Sequence, residues 1–110
     1  MEELLKNAEE FLLSGEENIK KERFNVAVSD FFKAIVILCD YFIYNEIKII
    51  PKNHSERFSL LQKYFIEIYN KVSGFFQLYT KSYNLRLKKE DAEKLKSYAH
   101  ELKNYIRNKK

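Results

Sequence analysis

Three observations predict an all-α fold of about five helices: few turn-forming residues, apolar side chains recurring at helical spacing, and no break in composition. The chain has 110 residues with only two Gly and one Pro, too few to punctuate an all-β fold. Hydrophobic residues make up 45% and aromatic residues 15%, which argues for a packed core and against disorder. At this length roughly 60–70% of the unfolded surface can be buried. There are no internal repeats, no low-complexity tract and no linker. Residues 1–110 therefore read as one domain.

The first helix is expected from Glu2 to about Lys21. Leu4, Leu5, Ala8, Phe11, Leu12, Gly15 and Ile19 fall on one stripe, as an amphipathic helix requires. Gly15 lies on that stripe, so it reads as a close-packing glycine within one helix, at a cost of about 1 kcal/mol relative to Ala. The alternative is two shorter helices meeting at Ser14-Gly15.

The second helix, Phe24 to about Ile47, is apolar around most of its girth. One stripe holds Ala27, Phe31, Ala34, Ile35, Leu38 and Phe42; its neighbour holds Val28, Phe32, Val36, Cys39 and Ile43. Only a narrow polar strip with Asp30, Lys33, Asp40 and Tyr44 remains. A helix of this kind must be covered on several sides. It is the centre of a bundle, or it also faces a second subunit. In the second case Phe32, Val36, Cys39 and Ile43 are the interface candidates. The tail from Ile47 to Ile50 reads as a short extended piece, because the residue before Pro51 disfavours the α region.

Asn53 with Glu56 matches a capping box. The stripe Phe58, Leu61, Phe65, Ile68 and Val72 then carries a helix through about Asn70. Phe75, Phe76, Tyr79 and Tyr83 continue the spacing, with a kink or short turn expected at Gly74. Residues 85–89 read as a basic connection. The last helix runs from about Glu90 to Asn108 with Ala92, Leu95, Ala99, Leu102 and Ile106 inward. Acidic residues at its start and basic ones at its end suit the helix dipole.

Composition excludes several function classes. One cysteine rules out a disulfide framework and a Cys-based zinc site, and no cofactor or metal is expected. No apolar run reaches the roughly 18–20 residues of a membrane span. The acidic start MEELLKNAEE lacks a signal peptide's basic segment, so a cytoplasmic setting is expected. The net charge is +4 and unevenly placed. Residues 1–22 hold 3 basic and 7 acidic side chains, whereas residues 86–110 hold 9 and 4. The basic C-terminal part is either a phosphate-contacting surface or an ordinary solvated face.

Few residues suggest chemistry. His54 and Arg57 share a helix face near a helix N-terminus, where anions are favoured. They are candidates for a phosphate or nucleotide, with Tyr44 or Arg86 contributing from elsewhere; packing of the first turn is the plainer account. Tyr79, Tyr83 and Arg86 also share a face. Aromatic rings interleaved with Arg can stack on bases and hold phosphates, or can simply half-bury their rings. His100 reads as a surface or interface residue and Cys39 as a buried thiol. Asp30 and Asp40 are about 15 Å apart along a helix, too far for a paired acid and base.

Two stretches carry a family likeness. FNVAVSDFFKAIVILCDYF (24–42) followed by IPKNH (50–54) resembles the signature of HEPN domains (higher eukaryotes and prokaryotes nucleotide-binding). YTKSYNLR (79–86) followed by EDAEKLKSYAHEL (90–102) resembles that family's closing segments. The Pro-x-x-His at Pro51 and His54 is the sharpest piece. The resemblance implies an up-and-down bundle of four to five helices, usually homodimeric, which either cleaves RNA or pairs with a minimal nucleotidyltransferase. Ribonuclease members use an Arg and a His separated by four to six residues. Here 30 residues separate Arg23 from His54 and 13 separate Arg86 from His100. The catalytic motif is missing.

The expected function is thus a non-catalytic nucleotide- or RNA-associated module, a homodimer or the partner of a nucleotidyltransferase. Its binding candidates are His54, Arg57, Tyr83 and Arg86. A divergent ribonuclease using His54, Arg57 and Arg86, and a purely structural helical adaptor, are the alternatives.

Overall fold

The computed structural model describes residues 2–109. They form α1 (Glu2–Lys20), α2 (Phe24–Ile47), α3 (His54–Tyr64), α4 (Ile66–Lys81) and α5 (Lys89–Asn108), and no strand occurs among the described residues. α2 packs against all four other helices. Its apolar stripes from Ala27 to Ile43 are almost wholly buried. Burial on this scale is the main term holding the bundle together, at roughly 1.5–3 kcal/mol for each fully buried large aliphatic or aromatic side chain.

α1 is one helix, as the stripe requires. Gly15 is buried, and a Cβ there would meet the ring of Phe31 at 2.6–2.8 Å. The glycine lets α1 and α2 approach closely. Two polar groups of α1 reach the same contact: Ser14 Oγ (2.7 Å) and Asn18 Nδ2 (3.0 Å) donate to Asp30. α5 lies beside α1 in the opposite sense, with Lys103 on Glu9 at 2.6 Å and His100 on Glu16 at 3.7 Å.

α2 ends at Ile47 because Lys48 turns left-handed, φ 60°, and returns its N–H to Tyr44 O. Ile49 and Ile50 are exposed and Pro51 is buried. Asn53 then caps α3 by accepting from Glu56 N at 2.9 Å. Glu56 replies to Lys52 N, one residue earlier than a capping box would place it.

The structure corrects the expected sequence of breaks in this region. The helix stops at Tyr64 and restarts at Ile66, while Gly74 lies inside α4. Phe65 is the joint, with φ −140° and ψ 63°. Its N–H closes α3 on Leu61 O, and its C=O accepts the first bond of α4 from Tyr69 N. The ring packs edge-on against Phe42 at 4.8 Å. That contact turns the chain back along α2, a tertiary cause with no Gly or Pro to announce it.

On the polar strip of α2, Asp30 and Asp40 are both buried, each with a partner. Phe32, Val36, Cys39 and Ile43 are buried within the chain itself, at 7% exposure or less. The four shorter helices all pack on α2. The accessible surface is 6807 Å², against about 6,450 Å² for a monomer of this mass.

Candidate functional site

His54 occupies the first turn of α3 and is exposed, with Arg57 buried one turn on. Arg57 reaches inward to α2. Its Nε and Nη2 donate to the two oxygens of Asp40 at 2.6 and 2.8 Å, a fork geometry suited to guanidinium and carboxylate. The remaining terminal nitrogen, Nη1, lies 2.7 Å from His54 Nδ1. Asp40, Arg57 and His54 therefore form a chain from the core to the surface. Loss of water and the Arg57 charge hold the His54 imidazole below its ordinary 6.5, with Asp40 opposing.

Around His54 lies a run of aromatic rings. His54 stacks on Phe58 (6.2 Å, 21°) and meets Phe76 at 5.7 Å. Phe76 in turn meets Phe58 at 5.5 Å and Tyr79 at 6.3 Å. Phe32 lies beneath, stacked on Tyr79 at 4.7 Å. Tyr79 passes the run to Tyr83 through paired hydroxyls 2.9 Å apart, which with burial raises the Tyr79 phenol above its ordinary range. Tyr83 is 76% exposed. Phe58, Phe76 and Tyr79 are half-buried, so one strip of ring surface runs across α3 and α4 to the end of the bundle.

That end is fixed by Asn25. Its Nδ2 donates to Ser82 O (2.8 Å) and Leu85 O (2.6 Å), and its Oδ1 accepts from Leu87 N (2.9 Å). One side chain of α2 thereby holds the α4–α5 connection beside the α1–α2 turn. Asp91 completes the junction by accepting from Lys88 N at 2.8 Å. The arrangement gathers Lys20, Lys21 and Arg23 with Arg86, Lys88 and Lys89. All six are exposed, and the ion pairs of the described residues use other cations.

The predicted site residues divide accordingly. His54 and Arg57 come together, but Arg57 is committed to Asp40 and is not free for a phosphate. Tyr79 and Tyr83 pair and join the His54 cluster through Phe76. Arg86 stands in the connection that Asn25 clamps. Tyr44 sits elsewhere, its ring under Lys48 Nζ at 5.4 Å. His100 belongs to the α1–α5 contact. Cys39 is buried, and burial with the nearby Asp40 pushes its thiol up to about 12. It is no nucleophile.

Sequence reasoning missed Asp40 as the partner of Arg57 and Asn25 as the clamp. A carboxylate on an otherwise apolar helix was the available sign of the first. Nothing in the sequence marked the second. A groove of about 690 Å³ between α4 and α5 is lined by Ile68, Lys71, Tyr98, Leu102 and Tyr105 among others. None of the candidate side chains lines it.

No known family model, curated protein or solved structure matches this chain. Among the described residues no group of three or more His, Cys, Asp or Glu side chains could hold a metal ion. Among the described residues no helix is long and apolar enough to cross a membrane.

Proposed function

We propose that the protein is a non-catalytic RNA-associated module that holds a single strand on the aromatic strip and its phosphates on the basic end. In the two-component setting implied by the HEPN resemblance, it would be the RNA-holding partner of a minimal nucleotidyltransferase. The carrying observation is the continuity of the two surfaces: the strip ends at Tyr83, and the clamped connection bearing Arg86 and Lys88, with Lys89 opening α5, begins there. The exposed Tyr83 ring and the open parts of the half-buried rings can accept any base face, and the cations beside them attract the backbone. Binding rather than cleavage is favoured because Arg57 is closed on Asp40 and His54 Nδ1 is occupied. That leaves no free pairing of a base with a charge-stabilising Arg.

Fluorescence anisotropy with a labelled single-stranded RNA tests the reading. Affinity is expected to fall linearly with salt on logarithmic axes, at about 0.7 per phosphate contact for a single strand. Changing Arg86 and Lys88 to Gln should lower that slope, and Tyr83→Ala should cost about 1–3 kcal/mol. Undetectable binding at low salt, or binding indifferent to salt, would sink the proposal and leave the structural adaptor.

A further inference from the structure

We infer that His54 is a fixed hydrogen-bond donor of the aromatic strip, offering Nε2–H to an acceptor on a bound nucleotide, and that protonating it weakens the site. The inference deepens the RNA reading above and rests on it. A guanidinium has only N–H donors. With Arg57 Nη1 at 2.7 Å, His54 Nδ1 must be the bare, accepting nitrogen, and the ring proton sits on Nε2. Arg57 is not free to turn away, since two of its nitrogens grip Asp40 in a buried pair. The tautomer is thus set from inside the bundle, by a carboxylate of α2 acting through a guanidinium of α3. Phe58, Phe76 and Phe32 border the ring. Nε2 lies on the edge opposite Nδ1, and in an exposed residue that edge is the one left for a ligand.

A second proton would have to enter at Nδ1, where it would face another donor. The ring would then have to leave Arg57 and, with it, its place in the strip. The charged groups that act on it are Arg57 on its own helix and Asp40 of α2, while α4 presents the Phe76 ring. An ordinary surface histidine gains affinity for a phosphate backbone on acidification. His54 carries the opposite sign.

The experiment is anisotropy with a labelled oligouridylate at constant ionic strength, from about pH 8 down to about pH 5.5. Neither the bases nor the phosphodiesters titrate in that range, and neither do Lys or Arg. Wild-type affinity is expected to fall as the pH drops through the depressed His54 value, which lies below 6.5. His54→Ala should weaken binding about three- to ten-fold at the upper pH, the worth of one hydrogen bond, and flatten the profile. His54→Gln, an amide donor that does not titrate, should stay within about two-fold of wild type and also be flat.

Affinity that rises on acidification, with the rise abolished by His54→Gln, would make His54 an ordinary cationic contact and overturn the inference. His54→Ala binding like wild type would overturn it while leaving the RNA reading intact. Failure of the wild type to bind oligouridylate at any pH would overturn both. Nitrogen NMR of the imidazole reads the tautomer without ligand, and a proton found on Nδ1 would also overturn the inference.

Discussion

At the scale of residues, the Asp40–Arg57 pair shows how a charge can be kept inside an apolar bundle. Both groups are buried, and no buried side-chain polar atom lacks a partner among the described residues. Removing one partner strands the other, so Arg57→Ala should destabilise the fold by about 3–5 kcal/mol. Replacing both at once with apolar residues of similar volume, as Asp40→Leu with Arg57→Met, should recover most of that loss. Urea unfolding of the two variants checks it, and a double variant no better than the single one would refute the account. The two glycines make a matched contrast. Gly15 has no room for a Cβ because Phe31 is fixed in the core, so Gly15→Ala should cost about 1–3 kcal/mol. Gly74 has nothing within 4 Å of the same position. Gly74→Ala should therefore stabilise α4 by about 0.5–1 kcal/mol. Thermal melts should move in opposite directions.

At the scale of elements, α2 and α5 were legible in sequence almost to the residue, because their apolar stripes are long and uninterrupted. The α3–α4 break was not. Phe58, Leu61, Phe65, Ile68 and Val72 keep one helical period through it, and only the packing of Phe65 on Phe42 interrupts the backbone. The α4–α5 connection was legible as a basic segment, but its order comes from Asn25 on another helix. Asn25→Ala removes three hydrogen bonds to residues 82–87. Exchange of the Leu87 amide should then quicken, at a stability cost of about 1–3 kcal/mol. If the clamp orders the basic end, the same variant should also weaken RNA binding with α2 itself intact.

At the scale of the whole molecule, one core around α2 couples stability to pH at both extremes. The Cys39 thiol is held up to about 12 in the fold, against 9.0 for a free thiol. Its contribution is therefore complete below about pH 9 and is lost as the pH rises towards 12. Tyr98, pushed up chiefly by burial, adds to the same alkaline limb. Thiol-labelling reagents should reach Cys39 only through unfolding, so labelling at mildly alkaline pH should slow in step with any stabilising substitution. Fast labelling of the folded protein would contradict the burial. His54 acts on the acid side. Its folded value lies below 6.5, so its contribution is present above pH 6.5 and lost as the pH falls through the depressed value. His54→Gln should flatten that part of a stability–pH curve measured by urea unfolding.

Helical class and the identity of the central helix were determined by the sequence alone, because apolar period and the scarcity of turn formers are local properties of the chain. The same locality explains where sequence reading stopped. It placed Phe32, Val36, Cys39 and Ile43 on the faces of α2 but could not say what covers them, and it found His54 and Arg57 without the carboxylate that engages them. Which face meets which neighbour depends on contacts between residues far apart in the chain. Asp40 with Arg57, Asn25 with residues 82–87 and Phe42 with Phe65 are such contacts. Only the tertiary structure decides these pairings, because their energy is released when separate helices dock and leaves no periodic trace in the sequence.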